Sequence, residues 1–245
     1  MKIAVIGGTG LIGSQVVRIL NEQGHEALPY SPSTGVDLVS GKGLDGALKG
    51  ADVVVNLTNS PTFDDASLAF FQTTMANLLA AAKDAGVRHA VILSIVGVEK
   101  VPDLAYFRAK VLQEDILKAG PVPYSIVRAT QFFEFIDAMM SWTSDETSVR
   151  LPAAPIQPIA AADVAKVVAE VAVGAPLQGT RNIAGPDVFT LDELGRVTLE
   201  ARGDKRTVVI DTTAGMLAAA PGDVLIAKAG ADIAPTSYRE WLKSH

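Results

Sequence analysis

Residues 2–13 read KIAVIGGTGLIG, and the way this stretch is parsed decides the fold. Lys2 to Ile6 is a short run rich in β-branched residues, followed at once by Gly7, Gly8, Thr9, Gly10, Leu11, Ile12 and Gly13. Behind the glycines, Leu11, Ile12, Val16, Val17, Ile19 and Leu20 recur with a roughly helical period as far as the stop at Gly24. Strand, glycine turn, helix: this order opens a dinucleotide-binding βαβ unit. Gly7, Gly10 and Gly13 lack the Cβ atoms that would block a tight turn. They let a pyrophosphate approach backbone N–H groups at the positive end of a helix. Gly13 would let that helix pack closely on its strand. Flanked by a strand and a helix, the glycines predict a nucleotide site rather than a tight turn alone.

Composition narrows what such a chain can be. With 245 residues there is room for one large domain, or one domain with a small lobe. At 49% hydrophobic residues the chain has ample material for a core. A formal net charge of −6 supplies no basic surface to neutralise phosphates, so a nucleic-acid partner is not expected. The absence of cysteine excludes disulfides, thiol catalysis and zinc–thiolate sites, and suits a reducing cytoplasm. Met1 leads straight into the first strand, so no secretory signal is expected. No apolar run reaches about eighteen residues, so no membrane span is expected.

The next elements follow in order. His25 to Tyr30 reads as a second strand, then comes the turn Ser31-Pro32-Ser33-Thr34-Gly35. An acid at the end of this strand would bond a ribose 2′-OH, and its absence leaves room for a 2′-phosphate. Tyr30, Ser31 and Ser33 stand there with no Asp or Glu, which favours NADP, although a plain surface turn fits the same residues. Val36-Asp37-Leu38 is expected as a very short strand, followed by a helix from about Ser40 to Lys49. Val53 to Leu57 is an apolar run of buried parallel-strand type. It ends in the polar loop Thr58-Asn59-Ser60-Pro61. Asp64 to Ala85 reads as a long helix closed by Gly86, and Val87 to Ser94 as the next strand. Ala105 to Ala119 is a helix and Val122 to Val127 a strand. Strands alternating with helices imply a parallel, doubly wound sheet.

After Arg128 the pattern loosens. Gln131 to Trp142 is dense in large apolar side chains. Ala160 to Val173 is a helix, Asn182 to Ala184 a short strand, and Thr190 with Glu193 a capping box. Thr207 to Ile210 is expected as the last strand, with Trp241 and Leu242 tucking down in a partly helical tail.

The chemistry gathers after the fifth strand of this count. Ser94 ends it, and Tyr106 and Lys110 stand at i and i+4 on one face of the following helix. A phenol with pKa near 10 is a poor acid–base group at neutral pH. An ammonium within about 4–6 Å would lower that pKa toward the working range. The serine hydroxyl can bond a substrate carbonyl oxygen. Such a trio suits hydride transfer at a carbonyl carbon, with a cofactor doing the hard step. The alternative is that Tyr106 only packs. Arg128 reads as a structural arginine rather than a substrate clamp. The scattered His25, His89 and His245 suggest no metal site.

Gly7, Gly10 and Gly13 together with Ser94 and the Tyr106-x-x-x-Lys110 pair resemble the short-chain dehydrogenase/reductase superfamily. Tyr106 to Lys110, Glu114, and the run from Tyr124 through Arg128 to Phe133 are similar to its atypical NmrA-like branch of NAD(P)-binding proteins. The resemblance covers roughly residues 1–185. It implies a pyrophosphate held by Thr9, Gly10, Leu11, Ile12 and Gly13 together with Gly7. It implies adenine beside Asp37 and Leu38, and a nicotinamide ribose on Lys110. Asn56, Leu57, Thr58 and Asn59, with Ala129, Thr130 and Gln131, would line the cofactor, and Ser31 and Ser33 would meet the 2′ position. NADP-binding members usually carry an arginine where this chain has Ser31, which keeps NAD possible. A substrate lobe shorter than that of sugar-nucleotide epimerases argues against epimerisation.

The expectations are therefore an α/β protein with a Rossmann-type doubly wound parallel sheet and a small, mainly helical C-terminal lobe. Residues 1–130 would bind NAD(P), and residues 131–245 would form the substrate lobe, continuous with the first. The expected activity is NAD(P)H-dependent reduction of a small apolar carbonyl or quinone through Ser94, Tyr106 and Lys110. The alternative is a non-catalytic NADP(H)-sensing regulator of the NmrA-like type. A cytoplasmic monomer or homodimer is expected, with at least one of Phe132, Phe135 or Met139 lining an apolar pocket above the nicotinamide position.

Overall fold

In the computed structural model, which describes every residue from Met1 to His245, the opening stretch folds as its pattern dictates. Strand β1 spans Lys2–Ile6, and helix α1 spans Leu11–Glu22. There follow β2 (Glu26–Tyr30), α2 (Leu44–Leu48), β3 (Val53–Asn56), α3 (Ala66–Asp84), β4 (His89–Ile95), α4 (Ala105–Lys118) and β5 (Tyr124–Ala129). The later elements are α5 (Ile136–Ser141), β6 (Ser148–Leu151), β7 (Pro155–Ile156), α6 (Ala161–Val173), β8 (Gly179–Ala184), β9 (Phe189–Thr190), α7 (Leu191–Ala201), β10 (Thr207–Ile210), β11 (Asp232–Ile233) and α8 (Tyr238–Leu242). Seven strands form one parallel sheet in the order β11-β8-β5-β4-β3-β1-β2. No helix is long and apolar enough to cross a membrane.

Two compact units interleave along the chain. The first gathers Met1–Ser94, Ala105–Arg128 and Val164–Arg181, and the second gathers Ile95–Leu104, Ala129–Asp163 and Asn182–His245.

In the first unit the alternation of the strands divides the core between two faces. Ala4, Ile6, Val54, Ala90 and Ile92 join one cluster with Leu44 and Leu48 of α2, Met75 and Leu78 of α3, and Leu117 of α4. Their neighbours Ile3, Val5, Val55 and Val91 are equally buried but belong to the opposite face. Ile12, Val16 and Leu20 form the buried stripe of α1. The chain runs from β1 to β2, then returns to the other side of β1 to lay down β3. The order in which strands are added thus switches sides between β1 and β3, and ligands of open α/β sheets bind beyond the carboxyl ends of such a pair.

Val36 to Leu38 form no strand. The carboxylate of Asp37 accepts from the Val39 N–H at 2.9 Å and from the Ser40 hydroxyl at 2.6 Å, closing an Asx-type turn in competition with any sheet ladder. The helix expected from about Ser40 is shortened to Leu44–Leu48 because Gly41 and Gly43 both take positive φ, at 74° and 80°.

In the second unit, β6 pairs in parallel with β10, and β7 pairs antiparallel with β9. The Thr190–Glu193 box caps α7, with the Thr190 N–H 2.9 Å from the Glu193 carboxylate. Thr207 to Ile210 is not the last strand, since Asp232 and Ile233 pair with Ile183 and Ala184. Phe133 packs on Tyr238 and Trp241 with ring centroids 4.9 and 5.6 Å away, and the Tyr238 hydroxyl meets Thr198 at 2.8 Å.

Candidate active site

Each glycine of the first turn has its own physical reason. Gly7 sits at φ 78°, and a Cβ there would lie 2.9 Å from the backbone carbon of Leu57, in the loop that follows β3. A Cβ on Gly13 would lie 2.1 Å from the Gly7 oxygen, so the close seat of α1 on the turn requires glycine. Gly10 differs. It has φ −81° and ψ −179°, open to any residue, and a Cβ would meet only the Gly7 oxygen, at 3.3 Å. Packing within the protein does not explain this glycine. As N-cap of α1, Gly10 offers no side chain to the first-turn N–H groups, and no acid stands in that turn. Those donors are open to water or to an anion.

The loops at this switch in strand order are built mostly by their own hydrogen bonds. Leu57 donates its N–H to the Ile6 oxygen at 2.9 Å, tying the two carboxyl ends together. Buried Asn56 accepts from the Thr58 N–H at 3.1 Å and from its hydroxyl at 2.7 Å, while its amide nitrogen lies 3.5 Å from the Met75 sulfur. Asn59 accepts from the Ser60 N–H at 2.9 Å. After β2, the Ser31 and Ser33 hydroxyls bond each other at 2.7 Å, and the Ser31 N–H donates to Thr34 at 2.8 Å. Thr9 and Leu11 are exposed, whereas Ile12 is buried. Asp37 is partly exposed, its carboxyl held below the usual range chiefly by the Ser40 hydroxyl. Leu38 is directed into the core cluster.

Ser94, Tyr106 and Lys110 all lie in the first unit and all are buried. The Ser94 hydroxyl near the end of β4 meets no hydrogen-bond partner in good geometry, although it lies close enough to the Glu114 carboxyl to help lower its pKa. The Tyr106 hydroxyl donates to Asn59, and its ring packs edge-on against Phe63 with centroids 5.0 Å apart. The Lys110 amine donates to the Leu93 carbonyl at 2.7 Å and to the Gln113 side-chain oxygen, and stands 4.9 Å from the Phe71 ring centre. Burial pulls the Lys110 pKa down to about 7 against the partial restoring field of Glu114. The Tyr106 phenol moves the other way, up from its ordinary value, because burial penalises the phenolate more than the Asn59 bond favours it. This is the reverse of the lowering expected from the i, i+4 spacing. One helix face holds both residues, but each polar tip has its own partner.

Sequence reasoning did not find Gln113, although it stands at i+3 from Lys110 on the same helix face. Glu114 was noted only as part of a motif, yet Arg128 grips it from two nitrogens, at 2.8 and 2.7 Å. Arg128 thus ties β5 to α4.

In the second unit, Ala129 is buried, and its carbonyl accepts from the Val96 N–H at 3.0 Å. Thr130 and Gln131 follow, and the Thr130 hydroxyl and the Gln131 side-chain oxygen are buried with no protein partner. Met139 lines a small pocket with Trp142, Leu151, Leu191 and Leu217. Phe132 and Phe135 are only half-buried, and Trp142 stays 47% exposed despite its contact with Phe135.

Residues 7–173 match a family model described as NAD(P)H-binding. The chain belongs to that family. This NAD(P)H-binding chain is 31% identical over 211 residues to a (4-alkanoyl-5-oxo-2,5-dihydrofuran-3-yl)methyl phosphate reductase of Streptomyces griseus, covering 78% of its own length and 70% of the relative's. It is 26% identical over 176 residues to a photosystem II assembly factor of Cyanophora paradoxa, covering 61% of its own length but only 54% of that relative. Among solved structures it resembles dTDP-4-dehydrorhamnose reductase of Bacillus anthracis in complex with NADP, with TM-score 0.78, 18% identity, and 100% and 98% of the two chains covered. At that identity the likeness establishes the fold alone.

The residues present fit the cofactor that the family binds. Gly10 keeps open the space that a side chain would fill, the first turn of α1 lacks a cap, and both features lie where the strand order switches.

Proposed function

We propose that this NAD(P)H-binding domain is an NADPH-dependent reductase of a small apolar carbonyl or quinone. The buried Ser94 hydroxyl carries the reading: it stands near the carboxyl end of β4, beside the Glu114 carboxyl but in no well-formed hydrogen bond. A substrate carbonyl oxygen would supply one. The bound cofactor supplies the hydride. Tyr106 would give its proton to the same oxygen; burial raises the pKa of that phenol and makes it a weaker acid, so the transfer relies on the strongly basic alkoxide that hydride addition would create. Lys110 would hold the nicotinamide ribose. The S. griseus relative is named a reductase, which supports the reaction class. The lack of an acid after β2 supports NADP over NAD, with the Ser31 and Ser33 hydroxyls at the 2′ position.

A second reading has its own observation. Tyr106 is already bonded to Asn59, and Lys110 to Leu93 and Gln113, so neither polar tip lacks a partner before substrate arrives. That arrangement suits an NADP(H)-binding regulator of the NmrA-like type, and one relative is named an assembly factor. Steady-state NADPH oxidation over a panel of quinones, aldehydes and ketones separates the two readings. The reductase consumes NADPH with at least one of them. Tight NADPH binding with no consumption across the panel would favour the regulator.

A further inference from the structure

A chain of buried polar groups runs through the first unit from the loop after β3 to Lys110. Asn56, 2% exposed, holds the Thr58 N–H and hydroxyl with its oxygen and points its amide nitrogen at the Met75 sulfur, 3.5 Å away. The same sulfur faces the Gln113 amide nitrogen at 3.8 Å. With its nitrogen on the thioether, the fully buried Gln113 presents its oxygen to the Lys110 amine. A thioether is a weak acceptor, so its use fixes which way each amide faces more than it adds binding energy. Burying a glutamine is unfavourable unless its polar atoms are used. Here Lys110 and Met75 are what use them.

We propose that Gln113 is a positioning residue for Lys110, and that through Met75 and Asn56 it couples the placement of this amine to the order of loop 56–60. The second contact of the amine, the Leu93 carbonyl, lies on β4 and fixes the depth of Lys110. Gln113 fixes its direction. The charged group that acts on the amine is Glu114, one residue beyond Gln113, whose carboxylate is itself paired with Arg128 and Lys118. Gln113 is therefore a neutral acceptor that orients the lysine without adding a second carboxylate.

The inference rests on Lys110 as a cofactor contact only in its second arm, so the two can fail separately. In the full chain labelled with 13C at lysine Cε, the Lys110 resonance is assigned by its loss in Lys110→Met and titrated by NMR. Gln113→Leu removes the acceptor and should lower the Lys110 midpoint by about one unit. Gln113→Glu should raise it, and remains informative if the leucine variant folds poorly. The second arm compares NADPH with adenosine 2′,5′-bisphosphate, which lacks the nicotinamide ribose. Gln113→Leu should weaken NADPH about tenfold, leave the bisphosphate unchanged, and add nothing to the loss in Lys110→Met. An unmoved Lys110 midpoint in both Gln113 variants would overturn the proposal. A moved midpoint with unchanged NADPH affinity would support it and remove Lys110 from the cofactor site.

Discussion

Gly10 and Gly13 separate binding from folding at the scale of single residues. A Cβ on Gly13 would come within 2.1 Å of the Gly7 oxygen, whereas on Gly10 it meets that oxygen at 3.3 Å and nothing else. Gly13→Ala should cost about 3 kcal/mol of stability, seen as a lowered chemical-denaturation midpoint. Gly10→Ala should stay within about 1 kcal/mol of the parent. Its NADPH affinity by calorimetry should nevertheless fall about tenfold or more. Unchanged affinity in Gly10→Ala would mean that the pyrophosphate does not lie over this residue. The glycine spacing was legible in the sequence because the constraint is local. The bonds from Tyr106 to Asn59 and from Lys110 to Leu93 were not, since the partners are 47 and 17 residues away and only the folded sheet brings them together.

At the scale of elements, α4 carries two buried charged groups, Glu114 and Lys110, whose surroundings act in opposite directions. Glu114, its side chain 1% exposed, is held by the bidentate Arg128 of β5. Arg128→Met would leave that buried carboxylate paired only with the Lys118 amine, at 3.3 Å, and should cost up to about 3–5 kcal/mol in an equilibrium unfolding curve. Lys110 acts in the other direction. Its folded pKa of about 7 lies below the ordinary 10.5, so the folded state holds fewer protons than the unfolded chain between these values. Stability should therefore rise with pH across that window by more in the wild type than in Lys110→Met. Parallel slopes for the two proteins would show that the amine is not buried as described. The sequence placed α1, α3 and α4 closely because each is long and stops just before a glycine, at Gly24, Gly86 and Gly120. It misread Val36 to Leu38, whose apolar ends look like a strand until the Asp37 side chain closes its own turn. The two-residue strands Pro155–Ile156 and Phe189–Thr190 are too short for any period to show.

For the whole molecule, the sheet order explains why one short stretch predicts so much. Once β1 and its glycine turn are recognised, the switch in strand order between β1 and β3 marks the crevice where open α/β sheets bind their ligands, and both strands were legible. The division into units was less so, because the first includes Val164–Arg181 and the second includes Ile95–Leu104, far from any composition shift. Choice of cofactor tests the reading of the turn after β2: NADPH should bind more tightly than NADH in a direct titration, and equal or tighter NADH binding would contradict it. The central claim is that Tyr106 delivers a proton while the cofactor delivers hydride. Its most direct test is the turnover of Tyr106→Phe against wild type at saturating NADPH, on whichever carbonyl or quinone the wild type reduces. The account predicts a loss of about 10²–10⁴-fold with the NADPH dissociation constant nearly unchanged. A phenylalanine variant that retains full turnover would contradict it.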